Sequence, residues 1–398
     1  MTLDVSTSAD ISGLSGFQET PHGTGSSFVL DQLRGHIARY VCTVTEGDLD
    51  LITLWTAHTY LVVETYTTPR LLIDSPMPGS GKTTVLEHIN ALAYKPMMAA
   101  SLSSPAMLAR ALEHEPRTIL VDEADRSLDQ SKDNTGDLLA VINSGYKRGG
   151  QRPTLVPSKE SGWELKELST FGPVAMAGNS PNLPPDTMQR CIRVLLFPDL
   201  DETVDESDWE LIEDDTRALA EMVAAWTDSI REHVRSIRPP LPAGIKGRNR
   251  EKWSPLARVA DAAGAHWPAV VQRLALVDLA QQQADREDGI TIEKPHIRLL
   301  RHLAEVWPTD GAGDPRGFVA TEELTTRLAG VHPDEWGHGS PFGKPLTAQR
   351  MGRMLAGNFR VMTSRPDTRG PRGYALVNLR SIWSRLQITP PGETGATG

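Results

Sequence analysis

The amino-acid sequence predicts an α/β protein: a parallel sheet covered by helices, a helical lid after it, and a separate helical domain near the C-terminal end. Three observations carry that expectation. Short apolar runs alternate with helical patterns between Arg70 and Leu196, a glycine-rich turn follows the first run, and the charge balance reverses beyond about residue 340. The 398 residues exceed the size at which one core stops growing, so two or three domains are expected. The pattern along the chain divides them into a loose arm at 1–26, a core at 27–200, an acidic linker and helical lid at 201–290, a further domain at 291–388 and a short tail at 389–398.

The arm is rich in Ser, Thr and Gly and too poor in apolar residues to bury a core. From Phe28 to Tyr66, apolar residues at helical spacing predict two amphipathic helices. Buried strands are expected at 70–74, 97–100, 118–121, 174–177 and 192–196. Residues 199–215 hold ten acids and no base, which reads as a solvated linker or helix face. Helical patterns at 216–237 and 254–284 follow.

Only Cys42 and Cys191 occur, in no metal-ligand spacing, which suits a reducing cytoplasm. Neither a secretory leader nor a long apolar span is visible, so a cytoplasmic protein without membrane contact is expected. The net charge of −10 argues against nucleic acid on its own. Residues 342–388, however, carry nine Lys or Arg and a single acid, Asp367, a local charge of +8 that leaves −18 on the rest.

The turn is SPMPGSGKTT, Ser75 to Thr84, between a strand pattern and a helix pattern. Its spacing is nearly that of a P-loop NTPase, with Pro76 where the first glycine stands. In such a loop Pro78, Gly79, Ser80 and Gly81 turn backbone N–H groups onto phosphate oxygens, Lys82 reaches the terminal phosphates, Thr83 holds magnesium, and Thr84 opens the helix. ATP and Mg²⁺ are the expected cofactors. About forty residues on, TILVDEAD ends a strand in acids, assigning Asp122 to the magnesium shell and Glu123 to the attacking water. The two motifs are expected on adjacent parallel strands. Asn179, ending the strand PVAMAGNS, is expected near the same water, and Arg190 is expected to reach the nucleotide of a neighbouring subunit.

These residues, with NSGYKRGG, LPPDTMQRCIRV and WSPLARVADAAGAHWP, resemble the uncharacterised ATPase domain at the helicase end of primase-helicase proteins of phages and mobile elements. The resemblance spans about 28–284. Its broader kin are the AAA+ ATPases, and QRC at 189–191 is similar to the arginine-finger motif of clamp loaders. The resemblance implies a ring, usually a hexamer, with ATP between subunits, and a sensor arginine from the lid, for which Arg250 is chosen over Arg248. No room for a primase is visible before Phe28, so priming is not expected.

Two strands at 152–156 and 163–168 are expected as a hairpin, which in related ring helicases projects into the pore; Lys159 would lie near its tip. Helical patterns at 294–307, 321–328 and 347–356, followed by FRVMT, a basic turn and YALVNL, resemble a winged helix. Met351 and Leu355 would face inward, leaving Gln349, Arg350 and Arg353 for a major groove, with Arg365, Arg369 and Arg372 in the wing. The combined expectation is an ATP-hydrolysing, ring-forming DNA helicase or replication initiator of a phage or mobile element. An ATP-switched initiator or helicase loader without unwinding, and a nucleotide-dependent transcription regulator, remain as alternatives.

Overall fold

A computed structural model describes residues 26–392, apart from 100–103, 133–134, 159–161, 288–293, 341–342, 367–369 and 387. The arm at 1–26 therefore lies outside the described residues except for Ser26. The chain divides into two compact units at Gln282/Gln283.

In the first unit, helices α1 (Ser26–Tyr40) and α2 (Glu46–Tyr60) and a 3-10 turn at Val62–Glu64 precede the sheet. Then come β1 (Arg70–Ser75), α3 (Lys82–Leu92), β2 (Pro96–Ala99), α4 (Pro105–Ala111), β3 (Thr118–Val121), α5 (Ala124–Ser127) and α6 (Thr135–Ser144). A hairpin, β4 (Gln151–Ser158) and β5 (Gly162–Ser169), leads to β6 (Val174–Asn179), α7 (Pro185–Met188) and β7 (Cys191–Leu195). Three helices follow: α8 (Trp209–Ser236), α9 (Gly247–Ala263) and α10 (Trp267–Glu287).

The five-stranded sheet has the order β2-β3-β6-β1-β7, and every pairing in it is parallel. Parallel strands need crossovers, and crossovers cover both faces, so successive side chains enter two different cores. Leu71, Ile73, Ala175, Ala177, Ile192 and Val194 pack with α1, α2, α3 and α8 to α10. Leu72, Ile119, Val121, Val174 and Met176 pack with α4 and α6 on the other side. The expected adjacency of the two motif strands is corrected by this order: β6 lies between β1 and β3.

Two further expectations change. Helix α2 is not amphipathic; every residue from Leu49 to Tyr60 is buried, because other helices and the sheet surround it. Helices α8 to α10 share their core with α1, α2 and the sheet rather than forming a lid apart from it, and the boundary between units falls at 282/283 instead of near 290.

The second unit contains α11 (Pro295–Val306), β8 (Phe318–Ala320), α12 (Thr321–Val331), α13 (Pro333–Trp336), α14 (Ala348–Phe359), β9 (Gly373–Ala375) and α15 (Leu376–Arg385). Met351 and Leu355 are buried as expected, in a core with Leu299, Leu303, Leu328, Tyr374 and Trp383. The expected terminal strand pair is different. Residues 360–363 form no strand, Ser364 makes one bridge to Gly373, and β9 pairs with the unforeseen β8. Within YALVNL only Tyr374 and Ala375 are extended. Leu376, Leu379 and Trp383 recur at helical spacing, and Trp383 donates from its indole to the Leu300 carbonyl at 2.8 Å, so the chain turns helical.

His58 on α2 is fully buried beside Thr68, 3.1 Å away, and burial, with the Arg258 charge adding to it, lowers its pKa to about 3. The native state therefore holds it neutral, while the unfolded chain titrates near 6.5. Stability contributed by this group is whole above pH 6.5 and declines as pH falls from there toward 3. Urea unfolding of the full chain at pH 7, 5.5 and 4 checks this: the His58→Gln variant is expected to lose less stability between pH 7 and 4 than the parent, and equal losses would contradict the assignment.

Candidate functional site

Every strand of a parallel sheet delivers its C-terminal end to the same edge, where ligand crevices form. Here that edge carries the loop after β1, the acids after β3 and the end of β6. Together residues 78–84, Asp122, Glu123, Asp125, Gly178 and Asn179 line a cleft of about 520 Å³.

The loop is shaped by Gly79 and Gly81, whose φ values of +74° and +80° lie in the left-handed region that side chains disfavour. Gly81 also caps α3, so the first N–H groups of that helix have no intrahelical acceptors. Lys82 folds over the loop, donating from Nζ to the Ser80 hydroxyl at 2.9 Å and the Met77 carbonyl at 3.2 Å. Partial burial lowers its pKa, and Asp125, Asp74 and Asp122 oppose that shift.

Thr83 Oγ1 donates to Asp122 Oδ2 at 3.1 Å, joining two motifs thirty-nine residues apart. Asp122 Oδ1 accepts from the Glu123 amide at 2.8 Å. Glu123 itself sits at φ +50°, an uncommon conformation for a residue with a side chain, and its carboxylate meets Arg126 at 3.0 Å. Asn179 pairs in register with Ser75 on β1, so it ends the strand that lies between the loop's strand and that of the acids, and it lines the cleft. A hydroxyl and a carboxylate in contact are hard oxygen donors suited to Mg²⁺, which retains several waters.

Three contributors escaped the sequence reading. Asp125 Oδ1 accepts from the Asn179 amide at 3.1 Å. Asp74 is buried, accepts from the Ser180 amide at 2.9 Å and pairs with Arg193 at 2.6 Å. Asp125 was visible as the last acid of DEAD, whereas Asp74 and Arg193 meet only through the pairing of β1 with β7.

Arg190 precedes β7 and so lies at the opposite edge of the sheet, about 16 Å away along five residues of strand. Its guanidinium bonds the Asp186 carbonyl and lies 5.9 Å from the Tyr146 ring centroid, outside the cleft of its own chain. Arg250 is corrected more strongly. It lines a different depression with Thr65, Thr67 and Arg258, because α9 begins beside the segment that enters β1 from below. It does not reach the Lys82 cleft.

The hairpin forms as expected, with Leu155 opposite Leu165, and its expected tip residue Lys159 lies outside the described residues, as does Arg369. In the second unit Gln349 and Arg353 are exposed and Arg350 is half-buried. Gln349 and Arg372 line one depression of about 470 Å³ instead of serving separate faces. His302, Glu305 and His332 also gather in this unit, but the imidazoles stack at 3.6 Å and 8°, and Trp336 donates to His302 Nδ1 at 2.8 Å. Lone pairs in parallel planes do not converge on an ion, and Nε2 of His302 must carry the proton.

The model of a family described as "Protein of unknown function (DUF3631)" matches residues 199–386, from the acidic segment through α15. An uncharacterised 28.9 kDa protein in the xis 5′ region of Saccharopolyspora erythraea is 29% identical over 180 residues, 44% of this chain. The match spans 62% of that relative's length. Among solved structures, two of the apo C-terminal region of NrS-1 align at 13% identity over 90% of this chain and 79% and 78% of theirs, with TM-scores of 0.40 and 0.41. Among the described residues no helix is long and apolar enough to cross a membrane.

Gly178 lets β6 run beneath the acids: a Cβ there would stand 2.7 Å from Asp125 Oδ1 and 2.8 Å from its amide nitrogen. Gly178→Ala is expected to cost about 1–3 kcal/mol through this overlap. A urea midpoint unchanged from the parent would show that Asp125 is not held where the cleft requires it.

Proposed function

We propose that the chain is a P-loop NTPase of the AAA+ type that hydrolyses ATP with Mg²⁺ and acts on DNA as an assembled motor or replication initiator of a phage or mobile element. The observation that carries the reading is the Thr83–Asp122 contact at the mouth of a loop whose lysine, glycines and helix N-terminus face the same cleft. Backbone N–H groups of the loop and the Lys82 ammonium bind the phosphates. Thr83 and Asp122 hold the metal, which supplies charge neutralisation on the terminal phosphates when bound. Glu123 accepts the proton of the attacking water, and Asn179 orients that water. Arg190, remote from its own cleft, serves the site of a second copy.

The order α11, β8, α12, α14, β9 supports a winged helix with α14 as its reading helix. Arg353 and Gln349 stand exposed on that helix, and the excess of +8 between 342 and 388 favours a polyanionic partner. The hydrolysis rate with single-stranded, duplex and forked DNA, read beside strand displacement and assembly mass, separates a motor from an initiator or loader that does not unwind.

Lys82→Ala is expected to lower ATP hydrolysis by about 100-fold or more by removing the charge on the terminal phosphates. Glu123→Gln keeps the shape and loses the base, so kcat falls about 10²–10⁴-fold with nucleotide affinity nearly unchanged. Normal turnover in either purified variant refutes the assignment of that residue.

Arg372→Ala tests the basic end. The loss of one phosphate contact reduces the slope of log affinity against log salt by about 0.9 for duplex DNA, across specific and scrambled sequences alike. Arg353→Ala instead weakens a cognate site by about 1–3 kcal/mol over scrambled duplex. An unchanged salt slope in Arg372→Ala assigns this end to a protein partner.

A further inference from the structure

The depression that holds Arg250 has a composition of its own. Arg250, Ser254 and Arg258 recur every four residues on α9, so one helix face forms a wall of a space of about 330 Å³, with Thr65 and Thr67 on the facing wall. Arg258 is only 7% exposed, yet no carboxylate pairs with it among the described residues. Its Nη1 donates to the Glu64 and Val234 carbonyls, both at 3.4 Å, beyond the usual hydrogen-bond range, and its buried Nε has no partner. Burial lowers its pKa to about 10, with Arg238 and Arg148 pushing the same way.

Arg250 is exposed and has no acid partner among the described residues. One carboxylate does line the space, that of Glu251, and it is already held by Lys147 at 2.7 Å and by Arg248. Arg148 is a further nearby guanidinium, bonded to the carbonyls of Val63 and Thr65. The Glu64 carboxylate is engaged by Arg231 and Arg235. A cation kept from water and answered only by long carbonyl contacts is a standing cost to the fold, and an anion seated beside it removes that cost.

We propose that this depression is an oxyanion site that takes a phosphoryl group between Arg250, Ser254 and Arg258. Guanidinium forks match the paired oxygens of a phosphoryl group, and a serine hydroxyl supplies a third donor. The site borders the segment leading into β1, at the edge of the sheet opposite Lys82, so it is separate from the cleft of the same chain. The phosphoryl group comes either from a free small phosphate or from a nucleotide bound in the cleft of a second copy; the latter source rests on the function proposed above.

The test is calorimetric titration of inorganic pyrophosphate into full-length Lys82→Ala protein, in which the cleft is disabled. One saturable site is expected, weakened about tenfold or more by adding Arg250→Gln, a change at an exposed residue that leaves the unfolding midpoint in place. Arg258→Lys, which keeps the charge and loses the fork, is expected to weaken it by a smaller factor. In a second arm, assembly mass is read with Mg·ATP in the parent and in Arg250→Gln with Lys82 intact. Loss of ATP-dependent association in Arg250→Gln assigns the phosphoryl group to a second copy's nucleotide, and pyrophosphate binding with association unchanged assigns a free phosphate. Pyrophosphate binding and association both unaffected by Arg250→Gln overturn the site. ATP binding to Lys82→Ala equal to the parent would overturn the cleft reading and leave the Arg250 result standing.

Discussion

An all-parallel sheet buried on both faces governs the first unit. Its backbone is satisfied strand to strand, and its side chains are consumed alternately by two cores, so polar chemistry is confined to the two edges where strands end. At the C-terminal edge the strand order places Asn179 between the glycine loop and the acids, and the Thr83–Asp122 contact closes the arrangement. At the opposite edge the same order leaves Arg70, Arg190 and Arg248 around the Tyr146 ring, with Arg250 and Arg258 close by on α9. Asp122, Glu123 and Asp125 thus line the cleft at one edge with the N-terminus of α3, and five arginines gather at the other beside Glu251.

That polarity has an energetic consequence. Arg70 is fully buried at the start of β1, its Nη1 and Nη2 donating to the carbonyls of Gly172 and Ile142 at 2.6 and 2.5 Å, and burial lowers its pKa to about 9. It fixes the entry to the sheet through neutral acceptors, while the Glu251 carboxylate at the same edge is held by Lys147 and Arg248. The cleft edge is the converse. Asp74 is anchored by Arg193 and the Ser180 amide, while Asp122 and Asp125 remain at the surface of the space that Lys82 enters.

Much of the site was legible because its signals are local. A strand pattern, glycines before Lys82 and an apolar run ending in acids each declare themselves within ten residues; β1 covers the expected 70–74 and one residue more, and β3 the expected 118–121. Strand order is not local: β6 separates the motif strands because of pairings between residues a hundred positions apart, such as Leu71 with Ala175. The same limit misplaced Arg250, whose position depends on α9 docking through the Glu251 carbonyl against Thr67, 184 residues before Glu251. The burial of His58 depends on helices far along the chain. In the second unit, the helical run from Leu376 to Trp383 was readable from its spacing, but the strand expectation was laid over it, and the three-residue β8 is too short to show any period.

The edge beside Lys82 is proposed to bind a nucleotide by its phosphates. Amide hydrogen exchange of the full chain, with and without Mg·ATP, reads that edge directly. Slowed exchange confined to residues 79–84 and 122–125, and dependent on Mg²⁺, is the predicted result. Unchanged exchange across both segments at saturating nucleotide would contradict the claim.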